Sequence, residues 1–199
     1  MTPIRHNASD ADSVLDAARD CVLAVGVRRT TLTDVARRAG VSRMTIYRRW
    51  PDVNSLVGDL MTREWIAVAA GAMPPADDPR PVRARIVAGL VAGAAAFRAH
   101  PLFHKILDVD PELLLPYILD RRGASQEALL ELIAAALDQG HEDGSVRPCR
   151  TDLQARSLLL VVQSFTLSLR TMTDETDPEL SEAAFLDELR TLLERTLTP

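Results

Sequence analysis

The stretch from Thr31 to Pro51, TLTDVARRAGVSRMTIYRRWP, leaves the chain few ways to fold. Leu32, Val35, Ala36 and Ala39 recur at i, i+3, i+4 and i+7, the spacing of one helix face. Thr31 stands at the N-cap position, and Asp34 forms a capping-box-like pair with it, Asp replacing the usual Glu. Gly40 ends this helix, because a residue without a Cβ takes the left-handed backbone that a tight turn needs. Ser42 starts a second helix and Pro51 stops it. Ala36 is small where the two helices approach, and Val41 and Ile46 anchor the second helix in a small core. Helix, glycine turn, helix is the helix-turn-helix unit.

The rest of the chain repeats the helical spacing, with no convincing alternating strand, so the expected fold is all-α. A preceding helix is expected, capped by Ser9 or Asp10, with Val14, Ala18, Cys21, Val22 and Val25 on its apolar face and Gly26 as its stop. A helix after Pro51 places Leu56, Val57, Leu60 and Met61 on one side. Residues 73–81, MPPADDPRP, read as a linker or turn. Helices are then predicted over 82–98 and 101–107, and a helical segment over 111–139 with a break near Arg122 and Gly123. Residues 140–148 and 173–181 read as loops between helices at 152–170 and 182–196. The stripe of the last helix is Phe185, Leu186, Leu189, Leu192, Leu193 and Leu197.

Charge divides unevenly. The whole chain carries −5, yet residues 1–56 hold nine Arg against six Asp, a net +3 that leaves −8 for the remainder. A basic head on an acidic body suits a head with a polyanionic partner, although so modest an excess also arises by chance. Two cysteines, Cys21 and Cys149, make no disulfide framework. No signal peptide is recognisable, and the longest apolar run, at residues 157–169, is too short and too interrupted to span a bilayer. A cytoplasmic protein without membrane association is expected.

On the second helix of the unit, Arg43, Met44, Thr45, Tyr47 and Arg48 fall on the outer face and near the helix start. An α-helix fits the major groove of B-DNA. Arg offers bidentate donors to guanine, Thr meets a base or a methyl group, and Tyr and Ser hydroxyls suit phosphate oxygens. Spacing alone leaves an ordinary surface hairpin with solvated arginines as the alternative.

Residues 31–61, TLTDVARRAGVSRMTIYRRWPDVNSLVGDLM, resemble the DNA-binding head of the TetR family of bacterial transcription regulators, a likeness that covers about residues 9–60. The resemblance implies an N-terminal three-helix helix-turn-helix DNA-binding head, residues 1–56, and a C-terminal helical ligand-binding and dimerisation domain, residues 57–199. It places Thr31, Thr33, Ser42, Arg43, Met44, Thr45, Tyr47, Arg48 and Arg49 where the family usually touches DNA. The family's usual lysine at the start of the next helix is Val53 here, which removes a typical phosphate contact. The family also implies a homodimer, and the helices at 152–170 and 182–196 are the expected interface. A monomer with 152–170 as a buried core helix is the alternative.

A ligand-responsive regulator, most simply a repressor released from a palindromic operator by an unknown small molecule, is the expected function. Phe97, His100, Phe103, His104, Tyr117 and Gln163 are the candidate pocket residues, aromatic or polar groups within mostly apolar helices, though aromatics at helical spacing also serve as core. The pocket composition suggests a hydrophobic or amphipathic effector. A DNA-binding regulator without a small-molecule effector, constitutive or controlled by a protein partner, is the second reading. His100 and His104 stand four apart, but Pro101 between them starts a new helix, so no metal centre and no cofactor are expected. No catalytic motif is recognisable, which argues against an enzyme.

Overall fold

The computed structural model describes residues 4–75 and 77–199, and among these every regular element is helical. Ten α-helices follow in order: α1 (Ile4–Val25), α2 (Leu32–Ala39), α3 (Arg43–Arg49), α4 (Val53–Ala72), α5 (Val82–Ala99), α6 (Pro101–Val109), α7 (Leu115–Leu119), α8 (Ala124–Glu142), α9 (Thr151–Ser168) and α10 (Glu182–Leu197). No single helix among the described residues is long and apolar enough to cross a membrane. The chain forms two compact units, Met1–Glu64 with His100–Arg122, and Trp65–Ala99 with Gly123–Pro199. The chain passes from the first to the second inside α4.

In the first unit, α1 packs on α2 and α6, and α2 packs on α3. Val14, Ala18 and Val22 of α1 are buried as expected. Contact with two neighbouring helices widens that buried face to Ala11, Leu15 and Ala17. Val25 departs from expectation and is exposed, because Gly26 turns the chain there and Val27 takes the buried place. Cys21 is half-buried, and burial pushes its thiol pKa up. Helix α1 already begins at Ile4, so neither Ser9 nor Asp10 is its N-cap. From α4, Leu56, Val57, Leu60 and Met61 are buried.

In the second unit, α5, α8, α9 and α10 enclose one apolar core. Ile86, Val87, Val91 and Ala94 of α5 meet Leu137 of α8, Leu158 of α9 and Leu189, Leu193 and Leu197 of α10. The α10 stripe is narrower than expected, with Phe185 half-buried and Leu192 exposed. Helix α8 runs to Glu142, three residues into the stretch expected as a loop. Gly140 has no side chain, and Val146 folds back into the space a Cβ there would fill, its N–H donating to the Gly140 carbonyl at 2.9 Å. That contact lies outside any local pattern. The polar stretch 173–181 also contains a short 3-10 turn, Pro178–Leu180.

Candidate nucleic-acid interface and body cavity

Local chemistry builds the helix-turn-helix. The Thr31 hydroxyl accepts the Asp34 N–H at 3.1 Å and donates to the Asp34 carboxylate at 2.7 Å. The Asp34 side chain, one methylene shorter than Glu, thus returns its bond to the cap hydroxyl. Gly40 takes φ +69, its N–H points back to Arg37, and the Val41 N–H bonds the Ala36 carbonyl at 3.0 Å. Ser42 then caps α3, accepting the Thr45 N–H at 3.1 Å. Ile46 is fully buried and fixes the rotation of α3 about its own axis.

Trp50 is a residue that reading the sequence did not assign. It is buried, and its indole N–H donates to Asp59 of α4 at 2.9 Å. The Arg49 guanidinium lies 4.9 Å from the centre of its ring, within cation–π range. An aromatic directly before Pro51 was the available signal. Helix α4 starts at Val53 and is capped by Asp52, whose carboxylate accepts the Ser55 N–H at 2.7 Å.

With Ile46 inward, α3 turns Met44, 78% exposed, and Tyr47, 50% exposed, to the outside. Arg43, Arg48 and Arg49 are exposed beside them. Neighbouring arginines are already neutralised: Arg37 pairs with Asp34 at 3.0 Å and Arg38 with Asp20 at 2.9 Å. Among the described residues Arg43 and Arg48 have no such partner. Free guanidiniums on an exposed helix face suit base edges and phosphates. Thr31 and Ser42 are exposed, Thr33 and Thr45 half-buried, and the Ser42 and Thr45 hydroxyls lie 2.8 Å apart. All nine residues expected at DNA therefore belong to α2, α3 and their caps.

The six candidate pocket residues do not come together in one unit. His100, Phe103, His104 and Tyr117 belong to the first. There His100 Nε2 lies 3.5 Å from the Glu64 carboxylate, Phe103 is buried, His104 is exposed, and Arg121 stacks on the Tyr117 ring at 5.3 Å. Phe97 and Gln163 belong to the second unit, which holds a cavity between α4, α5, α8 and α9. Phe97 lines it, with Gly89 and Gly93 of α5, Leu129 and Ala136 of α8, and Leu159 of α9 among the other lining residues. Every lining residue is apolar or glycine. The Trp65 ring packs behind Phe97 with centroids 5.2 Å apart. Gln163 accepts a hydrogen bond from Gln126 at 3.2 Å. Among the described residues no group of His, Cys, Asp and Glu is arranged to hold a metal ion.

Comparison with known proteins bears on both units. The profile of "Bacterial regulatory proteins, tetR family" matches residues 14–60. An HTH-type transcriptional regulator of Mycobacterium bovis is 38% identical over 182 residues, covering 92% of this chain and 91% of that relative. The solved structure of the Rhodococcus erythropolis transcriptional repressor QsdR, from the TetR family, matches with a TM-score of 0.70 at 14% identity, covering 96% of this chain and 97% of the other. FadR from Bacillus subtilis, solved in complex with stearoyl-CoA, matches with a TM-score of 0.64 at 12% identity, covering 93% and 98%. At those identities the structural likeness is one of fold.

Proposed function

We propose, from the premise that this chain belongs to the TetR family of bacterial transcriptional regulators, that it is a repressor released from a palindromic operator by a small-molecule effector. As a member of that family it is an all-α, helix-turn-helix regulator of transcription and not an enzyme. The observation that carries the operator part of this reading is the outer face of α3. Arg43 and Arg48 are unpaired among the described residues, and they stand with exposed Met44 and Tyr47 on a helix locked by buried Ile46 and the Gly40 turn. We assign DNA contact to Thr31, Thr33, Ser42, Arg43, Met44, Thr45, Tyr47, Arg48 and Arg49, within a DNA-binding domain of residues 1–56.

One such head reads a half-site, so specific readout calls for a two-fold dimer with half-sites about 34 Å apart or a multiple of that. We assign dimerisation to α9 and α10. The support is that α9 buries Leu158 inward yet leaves Leu153 56% and Leu160 69% exposed, with Val161 beside them. A helix apolar on opposite sides serves two cores. The effector is assigned to the body, residues 57–199, where the apolar cavity with Phe97 in its wall supports a hydrophobic ligand. Such a ligand shifts operator affinity only by the difference in its affinity for the two states, typically about 1–3 kcal/mol, and operator DNA weakens its binding by the same factor. A regulator that acts on operator DNA is assigned to the cytoplasm.

Selection of random duplex DNA on the purified protein at physiological salt, followed by sequencing, tests the reading. Enrichment of a palindrome with half-sites at helical-turn spacing is expected. No enrichment from folded dimer would overturn the operator assignment, and an operator complex indifferent to every body ligand would favour control without a small molecule.

A further inference from the structure

The cavity of the second unit specifies its ligand more narrowly than "hydrophobic", provided that the body is the effector-binding part. Its wall contains no hydrogen-bonding side chain and no charge. A charged or multiply polar group drawn into it would lose its hydration with nothing returned. Small residues thin the wall on two sides, Gly89 and Gly93 on α5 and Ala136 on α8. Gly89 lies so close to Met73 that an added Cβ would come within 2.8 Å of its sulfur. The side chain that closes this wall is thus an unbranched thioether, able to adjust to the contour of a guest.

A hydrogen-bonded pair of uncharged polar side chains adjoins the cavity in the helix register. Gln126 stands three residues, one turn, before the lining residue Leu129, and Gln163 follows the lining residue Val162 directly. The two side chains are hydrogen-bonded in a defined direction. The Gln126 carbonyl accepts the Gly123 N–H at 2.9 Å, and the Gln126 amide N–H donates to the Gln163 carbonyl at 3.2 Å. This chain of donors leaves the half-buried Gln163 amide nitrogen as its free end, without a partner among the described residues. A hydrogen bond polarised from behind in this way makes that N–H a better donor.

We propose that the cavity takes the hydrocarbon part of a neutral amphiphile with one acceptor oxygen (ester, amide, ketone or alcohol), and that this oxygen receives an N–H from the Gln163 side chain. An ionised head finds no opposite charge in the wall, and a bare alkane leaves the Gln163 donor unused.

The test is equilibrium binding to the full-length protein carrying Trp50→Phe, read by the emission of the remaining Trp65 behind Phe97, and to the unaltered protein, read by thermal shift. The probes are methyl decanoate, 1-decanol, decane, decanoate and decyltrimethylammonium. The ester and the alcohol should bind about fivefold more tightly than decane, the worth of one net hydrogen bond, and both ions more weakly than decane. Gln163→Leu should lower the ester and the alcohol to the affinity of decane or below it, because their oxygen is then buried unpaired. It should leave decane unchanged, and Ala136→Phe should abolish binding of all five. If Gln163→Leu loses helical circular dichroism, Gln163→Met carries the same comparison with the same expected drop. Ions that bind as tightly as the ester, ester binding indifferent to loss of Gln163, or binding that survives Ala136→Phe would each overturn the proposal. Ester binding that leaves an operator complex intact would instead count against the effector reading and leave the cavity assignment standing.

Discussion

The carboxylate of Asp110 accepts the backbone N–H of Val27 at 2.7 Å, joining the end of α6 to the turn that leaves α1 across 83 residues of sequence. Both residues are buried, and Arg28 stands 3.7 Å from the second oxygen of Asp110 while reaching Glu112 as well. Within the same turn the Thr30 hydroxyl donates to the Gly26 carbonyl at 2.7 Å. The segment that delivers α2 is therefore held at both ends. Asp110→Ala leaves the Val27 N–H buried and unpaired, which costs about 1–3 kcal/mol. Asp110→Asn keeps an acceptor and should cost less. Urea unfolding of the three proteins measures this, and an Ala variant as stable as the parent would show that the bond contributes nothing.

Two glycines should respond differently to a methyl group. Gly40 has φ +69 with nothing within 4 Å of an added Cβ, so Gly40→Ala should cost only the left-handed backbone strain of about 1–2 kcal/mol. Gly26 has φ +83, and its Cβ would come within 2.9 Å of both the Asp110 carboxylate and the Val109 side chain. Gly26→Ala should therefore be the more destabilising of the two in the same unfolding assay. Equal losses would mean that the Asp110 contact yields without cost.

The face of α3 separates two kinds of DNA contact. Tyr47→Ala should weaken binding to all sequences alike, as loss of a phosphate contact does, whereas Arg43→Ala should lose about 1–3 kcal/mol at one base position and relax preference there. Both side chains are exposed, so thermal stability should stay unchanged. Fluorescence anisotropy with single-base operator variants distinguishes the two patterns.

Acid should weaken the first unit through His100. Burial pushes its pKa below the ordinary value near 6.5, Glu64 opposes that shift only in part, and Arg19 adds to it. A lowered folded-state pKa means that the unfolded chain takes the proton more readily. The contribution of neutral His100 is full above pH 6.5 and is lost as the pH falls from there through the lowered value. His100→Gln should thus flatten the fall in stability between roughly pH 7 and pH 5. A parallel fall in parent and variant would assign the pH dependence elsewhere.

Leu160 tests the assignment of the dimer. It is 69% exposed in the middle of α9. Leu160→Glu should leave the monomer folded and shift sedimentation from dimer to monomer, with operator affinity falling in step. A variant that remains dimeric would place the interface on another surface.

Much of the head was legible because its determinants are short-range. Thr31 with Asp34, Gly40, and Ser42 with Thr45 all act within about one turn, and each occupies the conformation that its chemistry favours. The limits of the elements were less legible. Ser9 and Asp10 look like caps but lie inside α1, and Gly140 looks like a breaker but stays in α8 because Val146 covers it. The candidate pocket residues show the same boundary. Aromatic or polar character within mostly apolar helices singled out six residues, of which Phe97 lines the cavity and Gln163 adjoins it in register, while the other four belong to the first unit.

By itself, then, the sequence determined the succession of helices, the glycine turn between α2 and α3 and the outward set of arginines, because caps, turn residues and helical periodicity act over three or four residues. Tertiary structure alone decided that Asp110 holds Val27, that Trp50 is anchored by Asp59, and that α4, α5, α8 and α9 leave a wholly apolar cavity. The physical reason is that burial and hydrogen-bond satisfaction depend on which distant segments meet, and no local pattern records that meeting.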